Sequence, residues 1–465
     1  MTEPVTGSAP GRRTAQGRRF AVNLTTVLAV VVPLLTVGAL ALVHTEQPTP
    51  TRHGPVKTAL TSSVLVCPTA REGGRTVYAT TAQKKASGRV SIDAGATPDR
   101  VSLRPGKVST YESGPGAALI RGAGDLAPGL VAARFTTKPV AAGECSAPVP
   151  DQWFTGIGTG ARHRSVLELT NPDKGRAIVD VTMYGRLGVV DVPQLRGLSV
   201  SGLDTVQVDL AKVIPRRDEL AIHVTSTRGR VGASVLDTFD VLGAGGSAAD
   251  QLLPQTAPST SNVLMGVPTG AGRQTLALVN SGADEVRAKI RLVTSESVFA
   301  PQGFKEVRLA PESVKQVPIT AVLADAKGVL GVVVDSSGPV AATLRSFVGG
   351  DLSHAVAGAP VSSATTLVVP EGEKSLVLSG ARRVGVVTVV ARSLNGKLLG
   401  STRTEVNPGR GVLVKVPKGA VLLTVTPERT PIIGAVLVQG QGATVVPLRQ
   451  LVRSGLIPDI RPGTP

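Results

Sequence analysis

From Phe20 to Val43 the chain reads FAVNLTTVLAVVVPLLTVGALALV, with no charged position. A helix rising about 1.5 Å per residue would reach roughly 36 Å over this run, against a bilayer core of about 30 Å, so the pattern predicts one transmembrane helix over residues 20–43. Pro33 lies inside it, which a membrane helix tolerates better than a soluble one. Ala39-Leu40-Ala41 loosely resembles a small-x-small cleavage site. The run nevertheless exceeds the roughly 7–15 apolar residues of a cleavable signal, so it reads as an uncleaved signal anchor. Beyond it the pattern changes. Residues 44–58 hold Pro48, Pro50 and Pro55 and predict an extended stalk. The remainder alternates apolar and polar positions in short runs, separated by turn signals such as Asn171-Pro172-Asp173, Asn280-Ser281-Gly282 and Asn395-Gly396. Helix is expected there only as short turns near Leu210–Ile214 and Val322–Ala326.

The strand pattern repeats. Ser165-Val-Leu-Glu-Leu-Thr-Asn171 corresponds to Gln274-Thr-Leu-Ala-Leu-Val-Asn280, and Gly229-Arg-Val-Gly-Ala233 to Gly338-Pro-Val-Ala-Ala342, at one offset of 109 residues. Leu198 and Val200 fall on Val307 and Leu309 at the same offset, and Val208 and Leu210 on Val317 and Ile319. Weaker copies flank the pair: Gly129-Leu-Val-Ala-Ala133 upstream, Lys374-Ser-Leu-Val-Leu378 and Pro431-Ile-Ile-Gly-Ala435 downstream. This predicts four β-repeats over residues 59–150, 151–250, 263–350 and 367–453. The joins fall in stretches such as Leu242–Ala249 and Gly349–Thr366, rich in Gly, Ser, Pro and Ala. About a hundred residues with five to seven strands is the size of an immunoglobulin-like β-sandwich. The expected fold is therefore all-β, tandem sandwiches after one N-terminal helix. A β-propeller is the alternative.

Charge adds a topology. Arg12, Arg13, Arg18 and Arg19 precede the apolar run, and positive flanks stay in the cytoplasm. Residues 1–19 are then a cytoplasmic basic tail, and the C-terminal region is extracytoplasmic. The formal net charge is +17, of which about +14 lies beyond Val43. A balance of this size favours anionic polymers or lipid headgroups as partners. Nucleic acid is not expected, because aromatics, on which bases stack, make up only 2% of the chain. Cys67 and Cys145 are the two cysteines, and in an oxidising compartment they are expected to pair. Without CxxC spacing or neighbouring histidines, a metal site at these positions is not expected.

Candidate chemistry is sparse. His44, His53, His163, His223 and His354 form no HExxH or other metal-spaced pair, and His223 reads as a solvent-facing strand residue. There is no GxSxG elbow. Gly156-Ile-Gly-Thr-Gly-Ala161 matches GxGxxA, but Arg162-His163-Arg164 leads into a strand where a dinucleotide site needs a helix. Asp191, Asp204, Asp209, Asp237 and Asp240 have no acid/base spacing, and Trp153 reads as a packing residue. Arg216-Arg217 and Arg382-Arg383 would make a polyanion contact only if folding brought them together. No catalytic, cofactor-binding or metal-ligating residue is assigned, and no cofactor is expected.

A short Arg-rich head, one apolar segment, a Pro-rich stalk and repeats of the type V-x-L-x-N-P…V-x-V-x-x-x-G…G-x-V-x-A occupy most of the chain. They resemble uncharacterised membrane-anchored envelope proteins of high-GC Gram-positive bacteria, grouped as a domain of unknown function. The resemblance implies a neighbourhood of membrane glycosyltransferases and carries no site residues. The expected function is that of a non-enzymatic, single-pass cell-membrane protein whose extracytoplasmic repeats act as a scaffold, adhesion or anionic-polymer-binding module. An accessory subunit of an envelope glycosyltransferase, or a cryptic envelope enzyme, is the alternative.

Overall fold

A computed structural model describes residues 23–42, 56–95, 97–137, 140–240, 247–440 and 442–457. The chain forms two compact units, Lys57–Leu456 and the terminal residues Met1–Val56 with Ile457–Pro465. In the terminal unit the described element is the helix Leu24–Leu42, of 19 residues. Pro33 cannot donate a backbone hydrogen bond, and Thr36 Oγ1 donates to the Val32 and Pro33 carbonyls at 2.9 Å within this turn. Phe20, Ala21, Val22 and Val43 of the predicted span lie outside the described residues, as do the basic tail and nearly all of the stalk. Among the described residues no helix is long and apolar enough to cross a membrane.

The unit Lys57–Leu456 is mostly strand, in several small antiparallel sheets. Its helices are short: Leu210–Val213, Thr320–Asp325 and two 3₁₀ turns. The sheets fall into four lobes, at residues 62–145, 151–252, 259–356 and 365–447, and one strand order recurs in all of them. In lobes 1 and 4, counting strands along the lobe, one sheet runs first-sixth-third-fourth and the other fifth-second-seventh-eighth. In lobe 2 the fourth place is shared by Gly188–Val190 and Leu198–Val200, both paired with Ala177–Gly185. Lobe 3 fuses its sixth and seventh strands into Gly331–Val348, an 18-residue strand that joins the two sheets into one.

Within a lobe the two sheets bury their apolar phases against each other. In lobe 2, Val179, Val181 and Met183 of one sheet meet Leu167, Leu169 and Val235 of the other, in side chains all but inaccessible to water. Every such valine or leucine contributes about 1.5–3 kcal/mol on burial. Valine and leucine carry the cores because aromatics are scarce. Asn171 and Asn280 close equivalent turns in lobes 2 and 3. Asn171 Nδ2 donates to Gly175 O and Val200 O at 2.7 and 3.1 Å, and its Oδ1 accepts from Asp173 N at 2.9 Å. Asn280 makes the same set with Asp284 O, Ala310 O and Gly282 N at 2.7, 3.0 and 3.0 Å. This is the structural content of the repeat that ends on asparagine.

The four lobes pack on one another in a closed circuit. Val64, Val66 and Leu119 of lobe 1 form a buried cluster, and Val66 lies against Gly232 of lobe 2, where a Cβ would come within 2.7 Å of it. Trp153, Tyr184 and Ala221 of lobe 2 cluster with Val279, Val314 and Ala341 of lobe 3. The lobe 3 core continues into Ala435, Leu437 and Val445 of lobe 4, and the lobe 4 core into Phe135, Val140 and Ala142 of lobe 1. Leu60 N donates to Arg453 O at 3.2 Å, bringing the ends of the unit together. Cys67 and Cys145 form a disulfide between the first strand of lobe 1 and its eighth, which belong to opposite sheets.

The joins differ from the sequence reading. Ser247–Leu252 and Asp351–Val356, placed in or beside the joins by composition, are the eighth strands of lobes 2 and 3. They and their counterparts Val140–Cys145 and Gly442–Pro447 converge at the middle of the unit, where polar side chains replace the valines of an ordinary strand.

Candidate functional site

The convergence of these four strands builds a buried polar hub. Strand alternation places Asp237 in phase with Val235, and His354 in phase with Leu352 and Val356, so both side chains are carried inward. Thr444 Oγ1 of lobe 4 accepts from Ala142 N of lobe 1 at 3.2 Å and donates to Asp250 Oδ1 of lobe 2 at 3.2 Å. Asp250 Oδ2 accepts from His354 N of lobe 3 at 3.0 Å, with the ring Nδ1 at 3.4 Å. His354 Nε2 then lies 3.1 Å from Asp237 Oδ2. All four lobes are thereby tied by one hydrogen-bonded chain. Burial alone would raise Asp237, but the rings of His163 and His354 outweigh it and hold the carboxyl far below the usual range. Burial alone would lower His354, but its bonds to Asp237 and Asp250 push it up to about 9.

One edge of the hub opens into a cleft of about 430 Å³ between lobes 2 and 3. The lobe 2 wall comes from the loop 158–162, the strand His163–Thr170 and its partner Gly232–Asp240, in which Ser165 lies opposite Asp237 and His163 opposite Phe239. The loop is glycine-rich for steric reasons. A Cβ at Gly158 would sit 2.2 Å from His163 Nδ1, and one at Gly160 2.0 Å from Asp218 Oδ1. The lobe 3 wall is two cross-strand rows, Arg273-Phe347-Leu352 and Thr275-Arg345-His354.

Three guanidinium groups face this cleft: Arg162, Arg273 and Arg345. The Arg162 guanidinium carbon lies 5.8 Å from the Phe239 ring centre, and that of Arg273 lies 5.6 and 6.0 Å from the Phe239 and Phe347 centres. Arg345 Nη1 donates to Gly156 O at 3.3 Å and meets His163 Nδ1 at 3.1 Å. His163 Nε2 lies 2.8 Å from Asp237 Oδ1, and the Arg345 guanidinium rests against the imidazole, with Nη1 3.1 and 3.4 Å from its two nitrogens. Burial lowers Arg345, and Asp237 and Asp218 offset part of this. Among the described residues none of the three arginines pairs with a carboxylate within 4.0 Å. Among the described residues, Asp218, at the rim, is the one acidic residue lining the cleft.

Ser165, His163 and Asp237 are the residue types of a hydrolase relay, but their bonds run differently. Ser165 Oγ donates to Asp237 Oδ1 at 2.6 Å and accepts from Gly158 N at 3.1 Å, so it orients the carboxylate and has no contact with the imidazole as base. Among the described residues no group of three His, Cys, Asp or Glu side chains is arranged to hold a metal ion. In the hub these groups already satisfy one another.

Other residues singled out by sequence lie elsewhere. Trp153 is buried at the lobe 2–lobe 3 contact and stacks on His223 at 3.9 Å. His223 is therefore not a free surface residue; burial lowers its pKa, and Asp151 at 3.1 Å partly offsets this. Arg216-Arg217 lie in lobe 2 and Arg382-Arg383 in lobe 4, and neither pair lines the cleft. The GxGxxA match is the glycine loop just described, leading into a strand. His163, Asp237 and His354 were in view as single residues but not as a group. The signal was an ionisable side chain at the inward phase of an apolar strand.

Residues 108–417 match the model of a family of unknown function, DUF5719, and the chain belongs to that family. No curated protein matches it.

Proposed function

We propose that this is a non-enzymatic, membrane-tethered envelope protein whose four lobes form an extracytoplasmic platform for anionic glycopolymers. The observation that carries the reading is the cleft between lobes 2 and 3, where three guanidinium groups without carboxylate partners converge. Unpaired positive charge held on fixed strands attracts polyanions and is not neutralised internally. The tether is residues 20–43, and the helix Leu24–Leu42 within it is apolar all round, with its leucines and valines exposed. A disulfide in lobe 1 accords with an extracytoplasmic location. The recurring strand order supports reading each lobe as an immunoglobulin-like sandwich, with two sheets of non-consecutive strands closed over one core. A propeller blade would instead be a single four-stranded sheet. The membrane anchor and the high-GC Gram-positive envelope are part of this proposal.

The test is retention of the full chain, purified in mild detergent, on immobilised anionic cell-wall polymer at rising salt. Retention at low ionic strength that falls as salt screens the charge is the expected result. No retention, or retention indifferent to salt, sinks the reading. Protease treatment of intact, wall-stripped cells tests the topology, with the lobes expected to be accessible.

A further inference from the structure

We infer that the lobe 2–lobe 3 cleft is a specific seat for one oxyanion, a carboxylate or a phosphate, carried on a sugar ring. The sugar clause rests on the glycopolymer reading above; the oxyanion clause rests on the geometry of Arg345 alone.

Arg345 is held from behind. Its Nη1 donates to Gly156 O and lies against the His163 imidazole, which is held in turn by Asp237. Its Nε and Nη2 have no hydrogen-bond partner among the described residues, and the half-buried side chain lines the cleft. These two N–H groups form the edge of a guanidinium that meets both oxygens of a carboxylate, or two of a phosphate. Arg273 supplies the second charge. It rests on Phe239 and Phe347, and no acceptor among the described residues takes its donors. Arg162 adds a third at the mouth. The half-buried rings of Phe239 and Phe347 offer the apolar surface on which the carbon skeleton of a sugar would lie, and about 430 Å³ is the range of a small-molecule site. With three positive groups against Asp218, the cleft discriminates by charge first.

Calorimetric titration of the full chain in mild detergent tests this, using D-glucuronate, D-glucose 6-phosphate, D-glucose and inorganic phosphate as probes. The two acidic sugars are expected to bind, with glucose at least about a hundredfold weaker, since a charge-assisted bidentate bond contributes on the order of 3 kcal/mol. Comparing the two acids assigns the preferred oxyanion. R345K keeps the charge but not the two-pronged edge, and is expected to weaken the acidic sugars at least about tenfold. R273Q, at a side chain with no hydrogen bond to lose among the described residues, is expected to weaken them with an unchanged melting temperature. R382Q, on lobe 4, should leave binding as it is. Equal binding of glucose and glucuronate, or wild-type affinity in both R345K and R273Q, overturns the seat. Inorganic phosphate binding as tightly as glucose 6-phosphate overturns the sugar clause. Salt-sensitive polymer retention without acidic-sugar binding would reject the seat and leave the platform standing; acidic-sugar binding without polymer retention would do the reverse.

Discussion

His354 Nε2 lies 3.1 Å from Asp237 Oδ2 across the boundary between lobes 2 and 3, and neither side chain is exposed to solvent. A contact of this kind is cheap to keep and expensive to break. Replacing either partner breaks a buried network in a site that water does not reach, leaving Asp237 to His163 and Ser165, or His354 to Asp250. H354L and D237N should each lower unfolding stability by about 3–5 kcal/mol, read from urea midpoints at pH 7. A loss below about 1 kcal/mol in both would mean that the hub is not what ties the lobes together.

The same pair sets a pH dependence. His354 is held up to about 9 in the folded chain, against 6.5 unperturbed. Its contribution, on the order of 3 kcal/mol, is fully present below pH about 6.5 and is lost as pH rises through about 9. Lys374 acts oppositely at the alkaline end: burial brings it down to about 8, so its effect is to favour the fold as pH rises above that value. The wild type minus H354L difference isolates the histidine. That difference should shrink between pH 7 and 9 in urea titrations, and a flat difference would exclude the assignment.

Asn171 and Asn280 make matching sets of three bonds to backbone groups at equivalent turns. Alanine at either position leaves two carbonyls and one N–H of a partly exposed turn without their buried side-chain partner, at a cost of roughly 1–3 kcal/mol. Thermal unfolding of N171A and N280A should show similar losses, because the two sites are copies. A large loss in one and none in the other would break the equivalence.

Glycines of the 158–162 loop are sized by what packs on them. G158A would drive a methyl group into the His163 ring and G160A one into the Asp218 carboxylate. G158A should weaken acidic-sugar binding about tenfold or more by displacing His163 behind Arg345, whereas the exposed Asp218 side chain can swing away from the methyl of G160A. Gly175, in the same lobe, has open space where its Cβ would stand, so G175A serves as the control and should bind normally.

Cys67 and Cys145 close a loop across 78 residues. The cross-link restricts the unfolded chain by about 4 kcal/mol in the chain-entropy account. A C67A/C145A double variant, or the wild type under reductant, should unfold at correspondingly lower urea concentration. An unchanged midpoint would show that the unfolded state gains nothing from the missing link.

Much of this fold is legible in the chain because it is local. Alternation and turn residues mark the strands. The offset between Ser165–Asn171 and Gln274–Asn280 marks a duplication, since a repeated inward phase must be filled by the same residue types. Two cysteines leave only one possible pairing within the chain. The eighth strands were not legible. Ser-Ala-Ala-Asp-Gln-Leu and Asp-Leu-Ser-His-Ala-Val read as linkers because their inward positions hold Asp250 and His354, which are stable there only when the other lobes supply partners.

What the sequence by itself determined is the alphabet of this protein: an uncharged apolar segment, four valine-rich β units, a positive balance and one cysteine pair. Tertiary structure alone decided that the units close on one another around Asp237, Asp250, His354 and Thr444, and that Arg162, Arg273 and Arg345 share a cleft. The physical reason is range. Strand formation and core burial follow from neighbours within a few residues or one repeat. Arg345 and His163 are 182 residues apart in the chain, and a periodic pattern carries no record of such a contact until the lobes have docked.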